Sequence, residues 1–478
     1  MSFTSFWFLF FIIGLLLLRC CARGYGAEKW LLLAASIAFY LTWNIPCVLL
    51  VLCTSLLDFY VARNLGQSSD PAGRKRWLVT SLVSNLCLLG FFKYANFFLE
   101  NGRVLIQALS GHVRPLHYDI TVPPGISYFT FAGMSYVLDV YYERLAPCGK
   151  ARDYTLFISF FPKVLSGPII RAVDFLPQLE RRAKARLEGI EAGAAQFLIG
   201  AIKKAVLADQ IAGNVNQIFS GASQFDSFTL LEGMLGFAAQ LYCDFSGYSD
   251  MAIGCARVLG FEFAENFQMP FSSVSITEFW RRWHITMSSW FRDYLFLPLE
   301  IATRSNPMPL LRMSLNITLT MLLCGLWHGP SWNYVIYGGV HGVALAGHKV
   351  WTSCKPAPAW VKGRAVEFLA NLAARGLTLG VVVLSLVFFR TATVADAMTY
   401  LSRMFSAGHQ GERMFSMYIY PVVGVVFLAH LLINKDRNLA LELPRMSVGV
   451  RVAAYAFLLT VLVSLGATEG APFVYFKF

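Results

Sequence analysis

The sequence predicts an all-helical protein that crosses a membrane many times. Three observations carry that prediction: an apolar composition, a series of apolar runs of spanning length, and positive charge gathered at the ends of those runs. Of 478 residues, 56% are hydrophobic and only 14% charged, and the mean hydropathy is +0.54. That balance is too apolar for a soluble protein of this size. The runs fall at about residues 5–18, 30–43, 46–62, 77–92, 125–142, 308–327, 332–350, 366–388, 416–434 and 451–467, with weaker segments between 153 and 260. A spanning helix takes about 20 mostly apolar residues, so on the order of ten crossings are expected, several short or broken by Gly and Pro. No separate soluble domain is indicated, and residues 1–478 read as one integral-membrane domain.

The first run, FTSFWFLFFIIGLLLL, has no basic residues before it and no small-residue cleavage site after it, and Arg19 and Arg23 follow it. It reads as an uncleaved span. The net charge of +12 does not point to nucleic acid, because the basic residues sit at run ends. Arg19, Arg23 and Lys29, then Arg63, Arg74, Lys75 and Arg76, then Arg144, Lys150 and Arg152, then Arg181, Arg182, Lys184 and Arg186 mark loops expected to face the cytoplasm. Lys435, Arg437, Arg445 and Arg451 mark another, so the last span runs outward and leaves the tail, residues 468–478, outside. The same loops can also meet an anionic ligand. The ten cysteines include no CxxC pair and lie mostly in apolar runs, where they read as small core residues.

Four stretches interrupt the apolar pattern. The segment QLYCDFSGYSDMAIG (240–254) places Asp244, Ser246 and Asp250 at membrane depth, where acidic groups line a cavity or pair with a cation; nearby arginines are the expected partners. The segment ITEFWRRWHITMSSWFRDYLFLPLE (276–300) lacks a clean spanning run and reads as an interfacial or re-entrant helix pair. One reading makes Trp280, Trp283 and Trp290 an aromatic belt with snorkelling arginines. The other makes Arg281, Arg282 and Arg292, with Trp283, His284 and Asp293, the wall of a cytoplasmic funnel for a phosphorylated donor. FPKVLSGPIIR (161–171) and PPGISYFTFAG (123–133) break the backbone, which at this depth is tolerated only inside protein or along a water-filled cavity. In GLWHGPSWNYVIYGGVHG (325–342), Gly325, Gly329 and Pro330 bracket Trp327 and His328, so the helix is expected to stop near Leu326 and leave backbone groups beside an imidazole. His328 is therefore either a hydrogen-bonded packing residue or a base in a polar chamber. For His341 and His348 packing is the favoured reading. No serine elbow, phosphate loop or metal-spaced cluster is present in the sequence.

In this order, LYCDFSGYSDMAIG, SITEFWRRWHITMSSWFRDYLF and GLWHGPSWNYVIYGGVHG closely resemble the bacterial branch of the membrane-bound O-acyltransferases. The resemblance is nearest to the membrane subunit of alginate O-acetylation and its relatives for cellulose and peptidoglycan, with the protein of teichoic acid D-alanylation more distant. FFKYANFF, PPGISYFTF and FPKVLSGPIIR fit the same pattern, so nearly the whole chain is covered. The resemblance implies about eleven spanning helices with re-entrant segments around a central tunnel, in a bacterial inner membrane. It makes His328, in the Trp-His-Gly motif, the catalytic histidine, and His284, in the Arg-Trp-His motif, the second. Pro330 is a position where relatives vary. The implied donor is an acetyl thioester, acetyl-coenzyme A, with no permanently bound cofactor and no metal. The implied partner is an extracytoplasmic serine-dependent acetyltransferase that completes exopolysaccharide acetylation. A neutral imidazole that takes the acceptor hydroxyl's proton contributes about 10² to 10⁴ in rate.

Two other functions use the same features. A transporter or flippase also has broken helices and midplane polar groups, although no inverted repeat is evident. A carrier-protein thioester can replace coenzyme A, as in the D-alanylation relative. The tail, APFVYFKF, alternates aromatics at Phe473, Tyr475, Phe476 and Phe478 and is too apolar for a solvated end. It reads either as an interfacial anchor or, because it resembles a tyrosine-bearing motif on small partners of the D-alanylation system, as an acyl relay through the Tyr475 hydroxyl.

Overall fold

The computed structural model describes residues 1–43, 45–110, 118–181, 186–305, 307–354, 364–406, 411–433, 438–467, 470, 471, 473 and 474. Arg182, Lys184, Lys435 and Arg437 of the basic loops, and Tyr475, Phe476 and Phe478 of the tail, lie outside the described residues. The chain forms two compact units, Met1–Ala194 with Ala252–Ala264, and Ala195–Met251 with Glu265–Phe478.

The first unit holds α1 (Phe6–Cys21), α2 (Tyr25–Leu41), α3 (Ile45–Gln67), α4 (Pro71–Leu89), α5 (Ala95–Ser110), α6 (Ile126–Tyr141), α7 (Ala151–Ser159), α8 (Phe161–Val164) and α9 (Ala172–Glu180). Helix α4 starts where its sequence says it should: the Asp70 carboxylate accepts from the Ala72 and Gly73 amides, and Pro71 occupies a position whose N–H has no helical partner. Inside the unit the Asp58 carboxylate accepts from Ser81 Oγ at 2.6 Å and Asn85 Nδ2 at 3.1 Å, tying α3 to α4 by polar contacts where apolar packing gives no preference over lipid. The two backbone breaks read from the sequence meet. Gly125 adopts φ +77°, and a side chain there would overlap the Val164 carbonyl. Residues 160–170 are buried throughout, and Lys163 lies 3.6 Å above the Phe157 ring. The irregular backbone is thus inside protein.

Helices α10 (Leu187–Ile202) and α12 (Ser227–Val258) contribute residues to both units. The second unit adds α11 (Asp209–Ser220), α13 (Ile276–Arg282), α14 (Ile285–Phe291), α15 (Leu297–Ala302), α16 (Pro309–His328), α17 (Trp332–Cys354), α18 (Arg364–Arg390), α19 (Val394–Phe405), α20 (Ile419–Leu432), α21 (Leu439–Glu442) and α22 (Val448–Leu465). Its most intimate packing is the α16–α17 hairpin. A side chain at Gly325 would come within 3.0 Å of Gly338 Cα and overlap the Tyr334 carbonyl, and one at Gly338 would overlap the Met321 carbonyl. Gly325 on one helix and Gly338 on the other let the two backbones touch, the small-residue solution to helix association in lipid.

That seam corrects one expectation: α16 does not stop near Leu326 but runs to His328. Gly325 is accommodated within the helix because it faces α17. The chain leaves only at Gly329, where the backbone is extended and Pro330 follows. The helices Ile45–Gln67, Pro309–His328, Val366–Arg390 and Val448–Leu465, and the continuous α4–α5 helix Pro71–Leu109, are long and apolar enough to cross a membrane; Phe6–Cys21 and Ile419–Leu432 are shorter apolar helices. Large side chains such as Phe6 (80% exposed) and Val463 (82%) stand on helix exteriors, the expected arrangement against lipid. Of the cysteines only Cys47, Cys243, Cys255 and Cys324 are buried; Cys20, Cys21, Cys53, Cys87 and Cys354 are exposed, so the reading of most as core residues is not what the fold shows.

Candidate functional site

His328, the last residue of α16, is 3% exposed and sits among rings: Trp327 at a centroid distance of 5.1 Å, Phe389 at 5.2 Å and Tyr337 at 5.9 Å, all near edge-to-face. The α16–α17 seam fixes the backbone that presents it, while Phe389, one residue before the end of α18, closes the third side. Trp327 stands between two histidines, since its ring is also 6.2 Å from that of His284.

His284 joins α13 to α14 and takes φ +45°, a left-handed conformation costly for any residue with a β-carbon and most often kept at functional sites. The strain is held by Asn266, which sequence reasoning did not single out. Asn266 Oδ1 accepts from His284 Nδ1 at 3.1 Å, from the Thr286 amide at 3.2 Å and from Thr286 Oγ1 at 2.9 Å, while its Nδ2 donates to Ser249 Oγ. With Nδ1 as the donor, the lone pair of a neutral His284 sits on Nε2.

The helix pair expected at 276–300 is present as α13 and α14, but its tryptophans are not a lipid-facing belt. Trp280, Trp283 and Trp290 are 7%, 3% and 7% exposed. Trp283 stacks on Phe279 at 5.6 Å and packs edge-on to Phe267. Of the three arginines, Arg282 pairs with Glu278 at 3.0 Å and Arg292 with Asp293 at 2.6 Å. Arg281 is exposed.

His341 is a packing residue. It accepts from Trp280 Nε1 at 3.2 Å on Nδ1, and its Nε2 faces Ser385 Oγ at 2.9 Å, whose own proton goes to the Val382 carbonyl. Both nitrogens are occupied and a single neutral tautomer satisfies both, so the ring ties α13 to α17 and α17 to α18. His348 Nδ1 bonds Thr277 Oγ1.

Two cavities are lined by residues near the histidines: Tyr334, which packs on Phe389 beside His328, and Phe267, whose ring is 6.3 Å from that of His284. One of about 450 Å³ is lined by Asn216, Gln240, Pro330, Tyr334, Arg390 and Val474, among others. Another of about 460 Å³ is lined by Lys203, Asp250, Glu265, Phe267, His430 and Asn438, among others. Their order along two helical stretches is informative. From α10 to α11, Gln196 and Lys203 line the second cavity and Ala212 and Asn216 the first; along α12, Phe237 and Gln240 line the first and Tyr242 and Asp250 the second. The cavities therefore lie one above the other along the helix axes. Gln196 to Asn216 is 20 residues, about 30 Å of helix, the thickness of a bilayer's hydrocarbon core.

The acidic pair on α12, Asp244 and Asp250, has cations for partners, but not the expected arginines. Asp250 pairs with Lys203 at 2.7 Å and Asp244 with Lys204 at 2.8 Å. A π-helical turn, Lys203–Ala208, sends these adjacent lysines to different carboxylates. Ser246 is buried on the same helix. His430, also unforeseen, lines the second cavity with its Nδ1 donating to the Val426 carbonyl.

Residues 150–386 match the membrane-bound O-acyltransferase family, and the chain belongs to that family. It is 38% identical over 347 residues to "Probable alginate O-acetylase AlgI" of Pseudomonas aeruginosa, an alignment covering 72% of this chain and 65% of that protein. It is 36% identical over 412 residues to the protein of the same name in Pseudomonas syringae pv. tomato, covering 85% and 76%. It is 31% identical over 419 residues to "Peptidoglycan O-acetyltransferase" of Helicobacter pylori, covering 82% and 76%. The chain thus spans 65% to 76% of these relatives' lengths, under two thirds for the first.

Proposed function

We propose that this chain, in a bacterial inner membrane, moves an acetyl group from a cytoplasmic thioester to an acceptor hydroxyl on the far side, for O-acetylation of an extracytoplasmic polysaccharide of the alginate, cellulose or peptidoglycan type. The observation that carries the reading is the buried His328 in its cage of rings, with one cavity beyond Tyr334 and the other beyond His284 and Phe267. Donor and acceptor can then meet at one imidazole while neither crosses the bilayer.

In this reaction the acceptor oxygen attacks the thioester carbonyl; a C–O bond forms and the C–S bond breaks. His328 removes the hydroxyl proton and returns it to the departing thiolate, so a free thiol leaves. His284 lines the donor path, with Trp283 beside it. Coenzyme A is the donor, and its phosphates need guanidinium groups, which stay charged and match phosphate geometry. Because Arg282 and Arg292 already hold Glu278 and Asp293, Arg281 leads this role. The first acceptor is the Tyr475 hydroxyl, and a partner's serine takes the acetyl group from it. A phenol, with a pKa of about 10, is a better leaving group than a sugar alcohol, so the aryl ester is an apt relay.

The test uses purified protein and labelled acetyl-coenzyme A with no ion gradient. Label should appear on the protein, and His328→Ala should lower transfer per folded molecule by about 10²-fold or more. Consumption that requires a gradient would indicate a transporter. Strict dependence on an added carrier protein would replace the donor, and full transfer by His328→Ala would remove the base.

A further inference from the structure

The segment after α22 is bonded through its backbone by two members of a cluster of three buried charges. Lys204 Nζ lies 2.8 Å from Asp209 Oδ1 and 2.8 Å from Asp244 Oδ1, and the three side chains are 7%, 4% and 2% exposed. Lys204 also donates to the Ala471 carbonyl at 2.9 Å, and Asp244 Oδ2 accepts from the Val474 amide at 2.7 Å. One cation and two carboxylates leave a net negative charge in a buried site, which is unfavourable unless further donors meet it. The Val474 N–H is such a donor. Between the two bonds Phe473, 4% exposed, enters a slot made by Tyr248 at 4.9 Å and Phe245 at 5.9 Å. Phe245 in turn packs edge-on to His284 at 4.6 Å.

We propose that Lys204, Asp209 and Asp244 are positioning residues, a charge clamp that sets the direction and register of this segment at the cavity beside His328. The clamp reads a carbonyl at one residue and an amide three residues on, so reversing the chain would present donor to donor. A slip that brought residue 472 to Asp244 would offer no N–H, because that residue is proline. Phe473 is a side chain the site reads, in the slot between Tyr248 and Phe245. The ligand class is therefore an extended peptide with an aromatic residue between its two anchoring groups, and here the chain supplies it itself. The next residue in the sequence is Tyr475, so the clamp gives the relay of the proposed function its register and rests on that reading.

Val474→Pro on the full chain tests this without touching the helical core, since proline removes the Val474 N–H that Asp244 Oδ2 accepts; Val474→Ala trims the side chain and keeps that N–H. Hydrogen–deuterium exchange over residues 466–474 should accelerate in Val474→Pro by about tenfold or more, the factor that one hydrogen bond to a charged acceptor carries, and acetyl transfer should fall by a similar factor. Val474→Ala keeps that N–H and trims only a buried side chain, so its effect on both should be markedly smaller than that of Val474→Pro. Asp244→Leu should release the segment from the other side. Equal exchange and equal transfer in Val474→Pro and Val474→Ala would overturn the clamp. Tyr475→Phe separates the two ideas: exchange stays slow if the clamp holds, whether or not transfer survives, and surviving transfer removes only the relay.

Discussion

Gly329→Ala is the substitution whose effect can be worked most directly from the geometry around His328. The backbone at Gly329 is extended and accepts any residue, so the cost is steric. The new methyl would lie 2.7 Å from Tyr334 Cδ2, 3.1 Å from Cζ and closer still to Cε2. Ordinary carbon contact is about 3.6 Å, so the ring must retreat by about 1 Å or more. Toward Phe389 it has little room: Tyr334 packs edge-on to Phe389 at 5.1 Å, and Phe389 is in turn 5.2 Å from His328. The strain should cost about 1–3 kcal/mol of stability, as overpacking a close-packed interior does. Passed through Phe389 to the imidazole, a shift of about 1 Å should lower transfer about 10²-fold. Thermal melting and label transfer from acetyl-coenzyme A, measured on the same preparation, check both. Combining Gly329→Ala with Tyr334→Leu should cost less stability than the sum of the two singles, because the clash they share is gone. Wild-type transfer and melting in Gly329→Ala would refute the idea that the Tyr334 and Phe389 rings hold His328 in place.

Two further substitutions separate support from chemistry. Asn266→Ala leaves the His284 Nδ1–H, the Thr286 N–H and the Thr286 hydroxyl without their acceptor; melting should drop by the equivalent of about 1–3 kcal/mol or more, with transfer reduced as His284 loses its orientation. His341→Phe should also lower melting, since Trp280 and Ser385 lose their partner, yet transfer per folded molecule should stay within about threefold of wild type; a loss as deep as that of His328→Ala would make His341 a participant in the reaction.

The sequence exposes the fold wherever one-dimensional signals suffice. Apolar runs located the long helices, the prolines and glycines of residues 123–133 and 161–171 located backbone breaks that turn out to pack against each other, and Trp-His-Gly drew attention to His328. What it hid are pairings set by three-dimensional stagger. Lys203 and Lys204 look equivalent in AIKKAV, and only the π-helical turn sends one to Asp250 and the other to Asp244. Asn266 carries no periodic or motif signal because its role lies in three bonds made to residues 18 to 20 positions on. Gly325 read as a helix breaker because a lone glycine in a helix looks weak; its reason is the backbone of α17, which the sequence cannot show touching it.

Helix α22 has no buried residue along its 18-residue length, about 27 Å. Lipid, far more than protein, therefore sets its depth, and hydrophobic mismatch sets its tilt. It meets the rest of its unit through Ala454 and Tyr455; the carbonyl of its last residue, Leu465, accepts from Gln210, and just beyond its end the Ala467 amide bonds the Ala205 carbonyl. A helix whose height follows the bilayer is thus spliced, within a few residues, to a segment whose height is fixed by buried charge. Acyl-chain length then becomes a mechanical input: a thicker or thinner membrane pulls on that splice, so the thickness of the surrounding lipid acts as a tension on the very strand of chain that leads to the cavity.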